Sequence, residues 1–410
     1  MEYQRHTLSN GIRIIHKHVN NQVAHCGVII NTGSRDETEN EQGIAHFIEH
    51  TIFKGTQKRK AYHILSRLEN VGGELNAYTT KEETCIYASF LKPYYERSIE
   101  LFADISLRSI FPKAEIEKEK EVVIDEINSY RDNPAEEIFD EIEDLVFEGH
   151  SLGRNILGTK EQVRNFTRQN IFRFIKRTFN TEETVICSVG DIDFNKLVRL
   201  AEKYFGHAKA NPRSFKREAF SNYKPKSKSF DKGMYQAHCI IANEAYSRQD
   251  AKRAPLILLN NVLGGPGLNT RLNMGIREKY GFCYNIESNY TQYSDTGIVS
   301  IYLGTDFGYL QKTISLAYKE LKKLREQKLG SLQLQRAKQQ MIGQIAISQE
   351  SNVNELLSIG KSILAYDKVE SIEQILKEID GITASQLLDV ANEVFDPQKL
   401  SLLIYNGQNN

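Results

Sequence analysis

The two halves of this 410-residue chain contain strand-like and helix-like stretches in a similar order, and this repetition is the strongest constraint on the fold. The strand-like stretches of the first half are GIRIIHKH, VAHCGVIINTGS, ELNAYTTKEETCIYASFL and TVICSVG. Its helical patterns lie near 41–53, 60–71, 94–109, 113–131, 134–147 and 194–205. The second half offers the strands AHCIIANEA, FCYNIESNY, GIVSIYLG and LSLLIYNG, and helical patterns near 250–263, 268–279, 307–325, 330–347, 350–364 and 383–395. We therefore expect an α+β fold of two similar halves, each a mainly antiparallel sheet flanked by helices.

A basic segment at residues 208–230 separates the two halves. It holds seven basic residues against one acidic residue, with two prolines and four serines, a composition typical of a solvated linker. A nucleic-acid-binding patch is the alternative interpretation, but the chain as a whole is neutral. The expected organisation is an N-terminal domain at 1–207, the linker at 208–230, and a C-terminal domain of the same fold at 231–410.

Two local pairings support a duplication. The first aligns HFIEHTIFKG with LILLNNVLGG, and the second aligns EKEKEVVIDEI with QRAKQQMIGQI. In these pairings the polar side chains of the first half stand opposite Leu256, Leu259, Asn260 and Gln344. The second half is therefore expected to keep the fold and to lack the polar constellation of the first.

Charge and hydropathy argue against several classes of protein. The chain has 53 basic and 53 acidic residues, so its bulk charge gives no attraction to nucleic acid or to an anionic membrane. Its longest apolar runs are far too short to span a bilayer, and the first residues, MEYQRHTLSNG, lack the pattern of a signal peptide. We expect a cytoplasmic protein, with a processed precursor as the alternative. The five cysteines have no close pairing and are expected to be buried free thiols.

The stretch GIAHFIEHTIFKGT places two histidines on one helical face. His46 and His50 are separated by one turn, so both imidazoles can grip one zinc ion with bonds of about 2.0–2.1 Å. Glu49 lies beside the pair and can reach a metal-bound water without occupying a coordination position. The alternative is an apolar helix whose two histidines are satisfied by backbone groups or water.

A catalytic zinc ion needs a third protein ligand, and EKEKEVVIDEINSYRDNP supplies candidates on a strongly helical segment. Glu119 and Glu126 are seven residues apart and therefore share one helical face. Glu126 has apolar neighbours, whereas Glu115, Glu117 and Glu121 are expected to form a solvated acidic face.

Four stretches of the chain resemble successive signatures of the zinc peptidases with an inverted metal motif. They are GIAHFIEHTIFKGT, GGELNAYTTKEETCIY, EKEVVIDEINSYRDNP and LGGPGLNTRLNMGIREKYGFCYNIES, and they span most of the chain in order. This is the pitrilysin and insulin-degrading-enzyme family, whose shorter members include the mitochondrial processing peptidase. The resemblance implies a duplicated metallopeptidase-like domain.

The resemblance also implies roles for the residues of the metal motif. His46, His50 and Glu126 correspond to the zinc ligands, one ion per chain, and Glu49 corresponds to the general base that activates the zinc-bound water. Glu119 corresponds to a glutamate that orients a ligand histidine. The family often has leucine where Ile48 stands and a second glutamate where Asp125 stands, and neither departure touches the implied chemistry.

Two further groups of residues match substrate-binding positions of the family. Asn76, Ala77 and Tyr78 match a strand that family members offer to the substrate backbone, which is β-augmentation of an extended peptide. Arg277 and Tyr284 match a pair in the second domain that holds the substrate near the scissile bond, where an arginine or a phenol can stabilise an oxyanion. An ion pair at the end of a helix is the alternative for Arg277.

The resemblance therefore implies a zinc-dependent endopeptidase that hydrolyses peptides or unfolded segments of proteins. The alternative is a catalytically silent structural or peptide-binding subunit of the same family. Cobalt or manganese could occupy similar ligands. Long members of the family join two units like this chain, with the metal in the first and the arginine–tyrosine pair in the second. Since this chain carries both sets, a homodimer is implied, and a paralogous partner chain is the alternative.

Overall fold

The computed structural model describes residues 3–406, and the strands of this part of the chain form two sheets. The strands are β1 (Gln4–Thr7), β2 (Arg13–His18), β3 (Val23–Ile30), β4 (Glu74–Thr79), β5 (Thr84–Leu91), β6 (Thr184–Gly190), β7 (Ser227–Asp231), β8 (Ala237–Ala245), β9 (Cys283–Gln292), β10 (Gly297–Thr305) and β11 (Ser401–Asn406). The α-helices are α1 (Ile44–Thr51), α2 (Ala61–Glu69), α3 (Tyr95–Arg108), α4 (Lys113–Arg131), α5 (Pro134–Val146), α6 (Lys160–Asn165), α7 (Arg168–Thr178), α8 (Phe194–Phe205), α9 (Arg253–Gly264), α10 (Leu310–Glu326), α11 (Ser331–Gln349), α12 (Asn352–Tyr366), α13 (Ile372–Gly381) and α14 (Ala384–Val394). A π-helical segment spans Asn273–Glu278.

The first sheet has the strand order β1-β2-β6-β3-β5-β4. Strands β2 and β6 run parallel, and all other neighbours run antiparallel. The central strand β6 reads as a continuous apolar run because both of its faces are covered: Ile186 faces one hydrophobic cluster, and Val185 and Cys187 face another. Strand β4 lies at the edge, with β5 as its one strand neighbour among the described residues.

The second sheet repeats this arrangement with the order β7-β11-β8-β10-β9. Strands β7 and β11 run parallel, the other neighbours run antiparallel, and β9 occupies the edge that corresponds to β4. The predicted α+β fold of two similar halves with mainly antiparallel sheets is therefore confirmed.

Several short elements were not predicted from the sequence, namely β1, β7, α6, α7 and α13. The start of α7 carries a local signal that would have found it. The Thr167 hydroxyl accepts a hydrogen bond from the Asn170 amide, and the Asn170 side chain accepts one from the Thr167 amide. This reciprocal pair is a capping box with asparagine in the place of the usual glutamate or glutamine.

The described residues form two compact units, and each unit is assembled from three stretches of chain. The first unit takes 3–128, 154–217 and 347–369, and the second takes 129–153, 218–346 and 370–406. As a result α12, from the second half of the sequence, packs on β6 and β3 of the first unit. Its equivalent in the first half, α5, packs on β8 and β11 of the second unit. The linear domain boundaries at 207 and 231 stay a prediction.

Helix α12 completes a hydrophobic cluster on the back of the first sheet. Its Leu356, Ile359 and Ile363 are buried with Ile15 and Ile29 of the sheet. Gly360 allows this close approach, because a Cβ atom added there would lie 2.5 Å from the Cδ1 atom of Ile29. Helix α12 therefore substitutes for α5 as the cover of this face.

The basic segment expected to be a solvated linker is anchored by two arginines. Asp36 is fully buried and accepts hydrogen bonds from Arg213 Nη2 at 2.9 Å and from Arg217 Nη2 at 2.8 Å. The two arginine side chains are only 15% and 10% exposed, so the expectation of solvation was wrong for them. Their burial follows from Asp36, since a buried carboxylate requires cationic or hydrogen-bonding partners.

All five cysteines are buried and free, as predicted. Burial raises the pKa of the Cys26 thiol to about 12, which makes it inert. None of the helices in residues 3–406 is long and apolar enough to cross a membrane.

We expect Gly360→Ala to lower the free energy of unfolding by about 1–3 kcal/mol, because the new methyl group overpacks the fully buried Ile29 and lies 3.2 Å from Cys187 Sγ. Gly343→Ala in α11 is the matched control, since its added Cβ meets nothing within 4 Å and should raise stability by about 0.5–1 kcal/mol. Urea titration followed by circular dichroism measures both. Equal effects of the two substitutions would contradict the close packing of α12.

Candidate metal centre

Helix α1 is oriented by its apolar face. Ile44, Phe47 and Ile48 are fully buried in the core of the first unit. Because 3.6 residues complete a turn, this burial leaves His46 and His50 on the face that meets α4. Amphipathic patterning therefore turns both histidines towards Glu119 and Glu126 of α4.

The N-terminus of α1 is held by a carboxylate from the preceding loop. Glu37 is buried, and its side chain accepts hydrogen bonds of 2.9 Å from the backbone amides of Gly43 and Ala45. Burial raises the pKa of Glu37 to about 8, although the two amide donors act in the opposite direction. Gly43 has φ +90°, a conformation that favours glycine. These contacts fix the end of the helix next to His46.

Three candidate ligand atoms converge between α1 and α4. Glu126 Oε2 lies 3.2 Å from His50 Nε2 and 3.7 Å from His46 Nε2. The two imidazole rings have centroids 4.6 Å apart. Of the residues described, these three side chains are the one group of histidines, cysteines and acids found within mutual reach of a single metal ion.

The spacing of these atoms fits a tetrahedral metal ion. With ligand bonds of about 2.0–2.1 Å, neighbouring donors of a tetrahedral zinc site are about 3.3 Å apart. The 3.2 and 3.7 Å separations bracket that value without rearrangement of either helix. Two imidazoles and one carboxylate are also the donor types that zinc binds in catalytic sites with an open fourth position.

The electrostatics of the centre favour a bound cation. Burial lowers the pKa of His46 to about 4, which keeps that imidazole neutral and able to bind metal. Burial also acts to lower the pKa of His50, but the hydrogen bonds that its ring donates to Glu119 and Glu126 outweigh this effect and raise the pKa to about 9. The hydrogen bond with His50 holds the pKa of Glu126 below its usual range. The negative charges of Glu119 and Glu126 therefore lie next to the two imidazoles, where they would stabilise a bound cation.

Glu119 binds the opposite side of the His50 ring. Its Oε1 atom lies 3.3 Å from His50 Nδ1, and its Oε2 atom lies 2.8 Å from Lys54 Nζ. A carboxylate at Nδ1 fixes the tautomer that leaves Nε2 free for a metal ion. Lys54 in turn holds the carboxylate.

A cleft of about 320 Å³ adjoins the centre. The residues that line it are Glu49, His50, Phe53, Lys54, Leu65, Leu75, Asn76, Ala77 and Glu119. Burial raises the pKa of Glu49, which brings it closer to the range in which a carboxylate exchanges protons at neutral pH. The cleft thus brings the candidate base and the edge strand β4 to one place.

Strand β4 carries Asn76, Ala77 and Tyr78 along the edge of the first sheet. Its side chains alternate: Ala77 packs on the cluster that contains α1, whereas Tyr78 packs on the cluster that contains α12. The Tyr78 side chain therefore points away from α1. Near Tyr78, therefore, β4 faces the cleft with its backbone rather than with this side chain.

Arg277 and Tyr284 lie in the second unit. Arg277 belongs to the π-helical segment, where its Nη1 atom donates to Asn273 Oδ1 at 3.4 Å. Tyr284 lies on the edge strand β9, is 55% exposed, and donates its hydroxyl to Asp306 at 3.3 Å. Both side chains stay candidate substrate contacts.

The equivalent position in the second unit is occupied by uncharged side chains. Asn260 Nδ2 donates to the Ser288 carbonyl at 3.0 Å, and Asn261 Nδ2 donates to Gln344 Oε1 at 2.9 Å. The alignment of Glu126 with Gln344 predicted the loss of the carboxylate. The Asn261–Gln344 pair thus joins helices α9 and α11 where α1 and α4 carry the candidate ligand atoms, and Asn260 joins α9 to β9.

Sequence reasoning overlooked Lys54 and Glu37. Lys54 follows His50 by four residues, and this separation was the one local signal of its place, although α1 itself ends at Thr51. Glu37 gave no such signal, because its contact with Gly43 and Ala45 depends on the path of an irregular loop.

Two protein-family models match the chain. The model of the insulinase family, peptidase family M16, matches residues 13–160. The model of the peptidase M16 inactive domain matches residues 165–341. The two matches follow each other along the chain without overlap.

Similar proteins extend over nearly the whole chain. The uncharacterized zinc protease YmxG of Bacillus subtilis (strain 168) is 32% identical over 410 residues, which cover 98% of each protein. The probable mitochondrial-processing peptidase subunit beta of Schizosaccharomyces pombe is 30% identical over 95% of this chain and 88% of its own length. A crystal structure of a peptidase M16 inactive domain from Pseudomonas fluorescens superposes with a TM-score of 0.92 at 19% identity, covering 100% of this chain and 99% of that one. That likeness shows the shared fold.

We expect Glu119→Gln to weaken zinc binding by about 10- to 100-fold, because an amide holds the His50 imidazole less firmly than a carboxylate does. Glu117→Gln is the matched control on the same helix, since the Glu117 side chain is 68% exposed and pairs with Lys120. Competition with a chromogenic chelator measures both affinities. Equal affinities of the two variants would contradict a role of Glu119 in orienting the ligand.

Proposed function

The chain belongs to the insulinase family of M16 peptidases, and on this premise we propose that it is a zinc-dependent endopeptidase which hydrolyses peptides or unfolded segments of proteins. The observation that carries the proposal is the convergence of His46, His50 and Glu126 at tetrahedral spacing beside Glu49. The relatives named zinc proteases support the same class of reaction.

The proposed metal site holds one zinc ion per chain on His46, His50 and Glu126. When bound, zinc supplies Lewis acidity, which lowers the pKa of a water molecule and polarises a carbonyl oxygen. Glu49 accepts the proton of the attacking water and later donates it to the leaving amine. Glu119 holds the His50 ring at Nδ1 during these steps.

Strand β4 is the proposed binding site for the substrate backbone. It lies at a sheet edge and lines the cleft through Leu75, Asn76 and Ala77. An extended peptide can add to such an edge through main-chain hydrogen bonds, with little demand on its sequence. A compact folded protein has no free backbone to offer, which is why peptides and unfolded segments are the proposed substrates.

Arg277 and Tyr284 are proposed to stabilise the developing oxyanion and to hold the substrate. We assign this role across a homodimer, in which the pair of one copy serves the metal centre of the other. A paralogous partner chain is the alternative, and the relative that is named a subunit of a processing peptidase supports assembly of some kind.

A catalytically silent peptide-binding or structural subunit is the competing function. Such a subunit has no need of a base beside its metal ligands, whereas this chain keeps Glu49 next to His50. A measurement of peptide hydrolysis separates the two functions, because a silent subunit would bind peptides without hydrolysing them.

Glu49→Gln should keep the metal and lower kcat by about 100- to 10,000-fold, because the amide cannot accept the proton of water. Glu126→Gln should instead weaken metal binding itself. Metal content is measured by elemental analysis, and activity is measured on an unstructured fluorogenic peptide with and without chelator.

Wild-type protein that binds one zinc ion per chain and hydrolyses nothing would favour the silent subunit. Loss of zinc in Glu49→Gln with zinc retained in Glu126→Gln would show that ligand and base have been exchanged. Zinc that survives the combined His46→Ala and His50→Ala substitutions would exclude this site.

The assembly is tested by mixing two inactive variants. Glu49→Gln and the double variant Arg277→Ala with Tyr284→Phe should restore each other, because a mixed dimer has one site with both defects and one intact site. With equal amounts and random pairing, about a quarter of all sites should regain activity. Peptidase activity after subunit exchange is the measurement, with differential tags to confirm that mixed dimers form. Mixed dimers without recovered activity would contradict the assignment across the dimer.

A further inference from the structure

Helix α12 is tied to the first sheet by two ion-pair triads of the same composition. In the first triad, Glu355 of α12 accepts hydrogen bonds from the Tyr3 hydroxyl at 2.8 Å and from Lys17 Nζ at 2.7 Å. Lys17 Nζ also lies 5.8 Å from the centre of the Tyr3 ring. This triad joins α12 to β2 and to the start of the chain.

The second triad joins α12 to the proposed substrate strand. Glu83 Oε1 accepts a hydrogen bond from the Tyr78 hydroxyl at 2.9 Å and forms an ion pair of 2.7 Å with Lys361 Nζ. Lys361 Nζ lies 5.1 Å from the centre of the Tyr78 ring. The lysine thus closes a triangle with the carboxylate and the aromatic face.

This triad acts on the part of the hairpin that has least support from the sheet. Strand β4 has β5 as its strand neighbour on one side, and Glu83 lies in the turn that joins the two strands. The Thr80 amide donates to the Glu83 carbonyl at 2.8 Å, which places the Glu83 side chain next to the end of β4. The Tyr78 side chain reaches the back of the sheet, where Lys361 arrives from α12.

We propose that Lys361 and Glu83 are positioning residues for substrate binding, which hold Tyr78 and with it the free backbone edge of β4 in the place where an extended peptide adds to the sheet. The proposal rests on the proposed function, since it assigns a role in binding the substrate of that peptidase. Neither residue is among those that line the cleft beside the metal centre.

The proposal makes a specific kinetic distinction. The triad holds the strand and does not touch His46, His50, Glu126 or Glu49, so its loss should weaken peptide binding and leave water activation intact. A higher KM with an unchanged kcat is the signature of lost binding that is equal in ground state and transition state. General destabilisation of the fold would lower the active fraction, and therefore kcat, instead.

The experiment compares Lys361→Met with Lys17→Met. Lys361→Met should raise KM for an unstructured peptide by about three- to tenfold, the range expected for one hydrogen-bonded contact, with kcat and zinc content unchanged. Lys361→Arg keeps the charge and should restore most of the affinity. Lys17→Met removes the lysine of the first triad, which also ties α12 to the sheet but lies away from β4. This substitution should leave KM unchanged. The Lys17 side chain is 13% exposed against 46% for Lys361, so the control perturbs a more buried contact.

Direct binding separates this proposal from the proposed function. Anisotropy of a fluorescein-labelled unstructured peptide is measured on zinc-loaded Glu49→Gln protein, with and without Lys361→Met. A three- to tenfold weaker Kd with Lys361→Met would support the proposal even if turnover is slow. Equal KM and Kd values for the Lys361→Met and Lys17→Met proteins, in an enzyme that hydrolyses the peptide, would overturn the positioning role alone. Absence of both hydrolysis and peptide binding in the unsubstituted protein would overturn the proposed function, and this inference with it.

Discussion

The burial of one face of α1 is the constraint on which the rest of the site depends. Ile44, Phe47 and Ile48 have no exposed surface, and the cost of exposing them sets the rotation of the helix. Once that rotation is set, His46 and His50 face α4 whether or not a metal ion is bound. Glu37 then fixes the position of the helix along its axis through the amides of Gly43 and Ala45. The arrangement of the three candidate ligands is therefore a consequence of hydrophobic packing and of one buried carboxylate at the N-terminus of the helix.

Sequence reasoning found the parts of the site that follow from local periodicity. Residues four or seven apart share one face of a helix wherever that helix packs. This rule placed His46 with His50 and Glu119 with Glu126. The contacts of α12 and of Arg217 could not be found in this way. Each pairs groups separated by more than a hundred residues, and a helix that covers the sheet of the other half has the same apolar pattern as one that covers its own.

The two halves show the same contact between helices with the candidate ligand set and without it. A cluster of two carboxylates and two imidazoles is unfavourable to bury unless a cation or full hydrogen bonding balances it. In the second half Asn260 bonds the Ser288 carbonyl, and Asn261 bonds Gln344, so the same interior position is filled by neutral amides. The Asn261–Gln344 amide pair holds helices α9 and α11 together at any pH, without a cation. The second half therefore keeps the contact between the two helices, and this contact needs no cation to balance buried charge.

Helices α5 and α12 each pack on the sheet of the other half of the sequence. The open edge of the first sheet is therefore supported by a helix from the second half. An exposed edge strand presents unpaired backbone groups and pairs readily with other chains, which natural proteins limit by keeping such strands short. Strand β4 has six residues, and the turn at Glu83 closes one end of it. A short strand with one strand neighbour has little stiffness of its own, whereas a peptide-binding edge must hold a fixed register. The contact of Tyr78 with Glu83 and Lys361 supplies that stiffness from the face that α12 covers. The same contact therefore restrains an open edge and serves the proposed binding of substrate backbone.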